Sequence, residues 1–166
     1  MNKTKKITLL GAFTAFCFIL SYIEMLLPPL YTAIPGIKVG LPNVIILFVL
    51  YRFSIKEAAV VSIIRLILAA VLFGNALTLA YSFAGAVLSL AVMALLKKTN
   101  KFSPVGVSIA GGVCHNLGQI TVAALVMQTA EIGYYMIVLA VTGTLAGVVI
   151  GLLGGLLLRY ADRFKI

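Results

Sequence analysis

Three polar side chains stand within five residues of one another in a segment that is otherwise almost wholly apolar. They are His115, Asn116 and Gln119, in GVCHNLGQITVA at 112–123, and His115 is the only histidine of the chain. Spaced i and i+4, His115 and Gln119 share one face of a helix, and Asn116 points about a quarter turn away. Arg65 lies in the middle of another apolar run. An imidazole, a carboxamide and a guanidinium at similar depth can bind a small solute by hydrogen bonds and charge. Polar and ionisable groups at membrane depth are costly, so each needs a partner or a function. No second histidine, cysteine pair or carboxylate cluster accompanies them. Metal ligation and general-base catalysis are therefore unsupported, and no metal or cofactor is expected. The competing reading is structural, a lone histidine satisfied within helix packing.

Other polar residues join this set. Glu24 closes the first apolar run, and its depth differs from that of Arg65 by about one helical turn at 1.5 Å per residue. A Glu24–Arg65 ion pair is compatible with that spacing, as a structural bond or as part of a solute site. The loop AIPGIKVGLPN contributes Lys38 and Asn43. Lys38 would add positive charge over Arg65 and His115, or else anchor at lipid headgroups. Glu24, Lys38, Asn43, Arg65, His115, Asn116 and Gln119 are thus the candidate solute-binding residues. Cys17 and Cys114 lie inside apolar runs without CxxC spacing and read as small buried hydrophobes. There is no DDxxD and no GxxxxGK[ST], so no residues for magnesium–diphosphate chemistry or nucleotide hydrolysis are visible, and no catalytic residue is assigned.

The elements that must position these groups are membrane helices. The chain is 63% hydrophobic and 10% charged, whereas soluble domains are about a quarter charged and just under half apolar. Its net charge of +9 does not point to nucleic acid, because the basic residues sit in short clusters between apolar runs. The N-terminal MNKTKKITLLGAFTAFCFIL imitates a signal peptide, but SYIEMLLPPL follows without a cleavage site. It reads as an uncleaved first transmembrane helix.

Hydropathy predicts an all-α, six-helix transmembrane bundle, a single domain over 1–166, with helices near 7–27, 41–51, 58–73, 76–96, 104–127 and 134–158. The second is too short to span alone, so the preceding loop should dip into the protein. Basic residues fall at the N-terminus, after the second helix, after the fourth and at the C-terminus. By the positive-inside rule both termini are expected in the cytoplasm, in a multi-pass protein of the cytoplasmic membrane. Gly143, Gly147, Gly151 and Gly155 recur every fourth position on the last helix, as a packing face within the chain or a partner surface. Gly11 and Ala15 share that spacing on the first.

Four stretches, PGIKVGLPNVI at 35–45, RLILAAVLFG at 65–74, SFAGAVLSLAVMALLKK at 82–98 and FSPVGVSIAGGVCHNLGQITVAAL at 102–125, resemble a bacterial family. It is called heptaprenyl diphosphate synthase component I, or the Gx transporter family. That family looks like the substrate-binding S components of energy-coupling factor (ECF) transporters. The resemblance implies capture of a small vitamin-like or anionic metabolite from outside. It implies docking on a coupling transmembrane subunit driven by two ATPases, with Gly11 and Ala15 at the contact. It also implies that the loop at Pro35–Asn43 covers the pocket. The older family name implies a different role, a membrane accessory of isoprenoid or quinone biosynthesis without catalytic residues of its own. A structural membrane subunit of a redox complex is a third option.

Overall fold

The computed structural model describes residues 2–26, 40–128 and 135–163. Lys38, and with it most of the loop expected over the pocket, lies outside the described residues. Six helices follow in chain order: α1 (Lys3–Leu26), α2 (Asn43–Arg52), α3 (Ile55–Phe73), α4 (Ala76–Thr99), α5 (Pro104–Met127) and α6 (Tyr135–Arg163). No strand occurs among the described residues. The helices start where short polar side chains cap them. Ser54 accepts from Lys56 N, Asn75 from Thr78 N at 2.8 Å, and Ser103 from Gly106 N at 3.2 Å with Pro104 at the first turn. Asn100, with φ of 56°, ends α4 in the left-handed region that asparagine tolerates.

The helices overrun the apolar segments at their basic ends. α1 begins at Lys3, α3 at Ile55, α4 reaches Thr99 and α6 reaches Arg163. Lysine and arginine are good helix formers, and their stems follow the helix into the headgroup layer. Among the described residues, four helices are long and apolar enough to cross a membrane: α1, α4, α5 and α6. α3 has 19 residues but carries Lys56, Glu57 and Arg65.

α2, at 10 residues, is about 15 Å long and is enclosed by protein. Leu47, Val49 and Leu50 are fully buried, and α2 packs on α1, α3 and α6. Its core neighbours include Cys17, Val61 and Val107. A helix shielded in this way does not need to span by itself.

α5 is the centre of the remaining packing, between α4 and α6. Both seams depend on missing side chains. A Cβ at Gly118 would come within 2.7 Å of Ala84 O on α4, and one at Gly147 within 2.5 Å of Ile109 Cα on α5. Gly143 and Gly151 meet the α5 backbone in the same way. The four-residue glycine repeat therefore packs α6 on α5 within the chain, the mode by which membrane helices approach without a hydrophobic driving force. Gly155 departs from the pattern, since nothing lies within 4 Å of a Cβ placed there.

Three contacts tie the basic clusters to one end of the bundle. Lys6 pairs with Glu57, Arg52 Nη1 lies 3.5 Å from Asp162 Oδ1, and Lys97 Nζ donates to Leu50 O at 2.6 Å. Glu57 precedes the apolar part of α3. Hydrogen bonds from Lys6, from Ser54 and from its own backbone hold its carboxyl down to about 2, against an ordinary value of 4.5. A depressed carboxyl contributes stability that is present above its unfolded pKa and is lost as pH falls through the folded one. The unfolding midpoint of the wild type should therefore exceed that of Glu57→Gln at pH 6. The gap should close as acidification proceeds from about 4.5 toward about 2; a constant gap would contradict the pairing.

Candidate functional site

A cavity of about 50 Å³ lies among α1, α3, α4 and α5, toward the end of the bundle away from the basic clusters. Its polar wall is built from Ser21 and Glu24 on α1, Arg65 on α3, Thr78 and Ser82 on α4, and His115 and Gln119 on α5. Gly40 and Asn43 close it at the entry to α2. Leu66, Phe73 and Leu79 supply apolar surface.

Each polar residue is placed by its helix. Ser21 and Glu24 are one turn apart on the buried face of α1. His115 and Gln119 face α4 at a close approach. A Cβ at Gly85 would strike His115 O at 2.7 Å and the imidazole Cε1 at 3.0 Å, so the absence of a side chain there seats the ring. Arg65 and His115 are each 7% exposed. Arg65 Nη1 donates to Ser21 Oγ at 3.3 Å, and that hydroxyl in turn donates to Cys17 O at 2.9 Å. Arg65 Nε and His115 Nδ1 are both buried without a hydrogen-bond partner among the described residues. Buried nitrogens in that state cost free energy unless a ligand or water meets them.

The Glu24–Arg65 ion pair allowed by depth does not form. The two line the same cavity, but the ion pairs among the described residues are Lys6–Glu57 and Arg52–Asp162. Glu24 instead accepts hydrogen bonds from Gly40 N and, at 3.4 Å, from Leu41 N. Its carboxylate holds the turn that leads into α2, where Gly40 has a φ of +83° that favours glycine. The guanidinium of Arg65 lines the cavity with the Ser21 hydroxyl as a hydrogen-bond partner, and the Glu24 carboxylate is near enough to act on it by charge.

Of the expected residues, Glu24, Asn43, Arg65, His115 and Gln119 line one cavity. Asn116 does not. Its quarter-turn offset aims it at α6, where Nδ2 donates to Leu139 O at 2.8 Å. Its role is to join two helices, as polar groups do inside membranes. Asn116→Ala should lower stability by about 1 kcal/mol in a thermal unfolding assay and leave ligand affinity unchanged. Gly11 and Ala15 are exposed on α1, with nothing within 4 Å of a Cβ at Gly11.

Three lining residues escape sequence reasoning: Ser21, Thr78 and Ser82. Ser21 stands one turn before Glu24, and Thr78 and Ser82 are spaced i and i+4 at the start of α4. That spacing was the signal available.

A cavity of about 50 Å³ has room for a few waters at roughly 10–15 Å³ each. Pockets that enclose a whole small-molecule ligand run to roughly 300–1,000 Å³. The space suits the charged end of a ligand, such as one phosphate or carboxylate group. A guanidinium and an imidazole can meet it directly, while Glu24 limits the net positive charge of the wall.

The family model described as heptaprenyl diphosphate synthase component I matches residues 13–157. No curated protein and no solved structure matches the chain.

Proposed function

We propose that this chain, which belongs to the heptaprenyl diphosphate synthase component I family, is a non-condensing membrane component of prenyl diphosphate metabolism. It receives the anionic end of its ligand at the Arg65–His115 cavity and leaves bond-forming chemistry to a separate subunit. The observation that carries this reading is the pair of buried nitrogens without a hydrogen-bond partner among the described residues, Arg65 Nε and His115 Nδ1, at a cavity sized for a headgroup. The lining supplies one guanidinium and neutral donors but no carboxylate pair for magnesium. Binding and orientation are what such a wall can do.

A second reading is favoured by one feature. If the basic clusters face the cytoplasm, the cavity lies toward the exterior, as a subunit that captures a solute for uptake requires. In that reading the open face at Gly11 and Ala15 meets a coupling transmembrane subunit with its two ATPases. The small volume argues against enclosure of a whole vitamin-sized solute. Affinity purification of the tagged chain from its native membrane separates the two. Recovery of a prenyl diphosphate synthase subunit is the expected result. Recovery of a coupling subunit and ATPases without a synthase would replace it with uptake.

A further inference from the structure

A second cavity, of about 660 Å³, opens at the opposite, basic end of the bundle between the ends of α2 and α6 and the start of α5. Its rim is charged and its wall is apolar. Arg52, Arg159 and Asp162 stand at the rim, and Val105, Leu152 and Leu156 line the wall. Leu152 and Leu156 are about half exposed, at 55% and 48%, so the groove is continuous with the surface that meets lipid. Arg52 is already paired with Asp162, whereas Arg159 is exposed and in no ion pair among the described residues. One further feature adds positive potential: the N-terminus of α5 at Ser103–Pro104 lines the groove and presents its positive dipole end. Gly155 lines the groove, and the open space over it is where α6 leaves α5.

We infer that this groove holds one anionic glycerophospholipid of the surrounding bilayer, its phosphate at Arg159 beside the N-terminus of α5 and one acyl chain along Val105, Leu152 and Leu156. The volume lies within the range of ligand pockets. The sign of the rim selects phosphate without a compensating headgroup amine, as basic pockets between membrane helices do. The inference does not depend on ligand binding at Arg65.

Native mass spectrometry of the purified full-length protein, exchanged into an equimolar mixture of phosphatidylglycerol and phosphatidylcholine, tests it. One retained lipid is expected, with phosphatidylglycerol enriched by about five-fold, the preference one arginine supplies near a surface. Arg159→Ala should remove the enrichment, and Lys98→Ala, a basic residue outside the groove, should not. No atom lies within 4 Å of a Cβ at position 155, so Gly155→Leu should fold while its side chain enters the groove and displaces the lipid. Equal losses for Arg159→Ala and Lys98→Ala would reduce the effect to general surface charge and overturn the proposal. So would full retention of lipid in Gly155→Leu, or complete displacement of the lipid by millimolar inorganic phosphate.

Discussion

Arg65→Met is expected to weaken binding of inorganic pyrophosphate and of farnesyl diphosphate by roughly 100-fold, with stability unchanged or raised. Both halves of that result come from the same environment. The guanidinium is buried, and one nitrogen, Nε, lacks a partner among the described residues. It lines the cavity and makes no ion pair within 4 Å among the described residues. Loss of a charged donor in a buried site removes most of the recognition of an anion. The fold loses little, because Ser21 keeps its own hydrogen bond to Cys17 O. A buried charge without a close counter-ion carries a desolvation cost, which an apolar side chain of similar volume removes. Arg65→Lys should fall between, with charge retained but the two-pronged geometry lost. Calorimetric titration and thermal unfolding of the same preparations measure the two halves. Affinity within three-fold of wild type in Arg65→Met would remove the cavity from the account.

Gly147→Leu should be the most damaging single change to the fold. A Cβ at this position meets Ile109 Cα at 2.5 Å and Ser108 O at 2.9 Å, both backbone atoms that cannot rotate aside. α6 would have to move off α5 along its main seam, breaking the register of Asn116 with Leu139 O as well. Overpacking in a tight interface costs typically about 1–3 kcal/mol and more where backbone is struck. Little folded protein should survive detergent extraction, as read by size-exclusion chromatography. Gly155→Leu, two turns on, should behave as wild type in that assay because its side chain enters open space. Identical behaviour of the two variants would contradict the packing described for α6.

The segments themselves were legible in the sequence. Long apolar runs broken by lysine clusters or by proline allow few other arrangements in a bilayer. Helix ends were less so, because lysine stems in α1 and α4 and arginine stems in α6 let these helices continue past the apolar stretch. Within the site, the i and i+4 spacing of His115 and Gln119 was enough to place both on one wall. For Asn116 the same geometry gave its direction but not what lies there, and the neighbour is α6 rather than the cavity. Ser21 was invisible for a related reason. A serine in a membrane helix commonly bonds its own preceding turn, as Ser21 does, and its contact with Arg65 joins residues far apart in sequence. Depth alone paired Glu24 with Arg65. The choice of Gly40 N and Leu41 N as its partners depends on how the chain enters α2. Neither the headgroup scale of the cavity nor the groove at the basic end has a linear signature, since both are spaces between helices.

Because the chain contains a single histidine, its imidazole is a reporter placed by nature in the wall of the cavity. The most direct test is the ¹⁵N-histidine NMR spectrum of the full chain, purified without a histidine tag, during titration with farnesyl diphosphate. One imidazole signal should move saturably with ligand in wild type and stay fixed in Arg65→Met. A His115 resonance that is indifferent to ligand while calorimetry records binding would locate the ligand elsewhere and contradict the account.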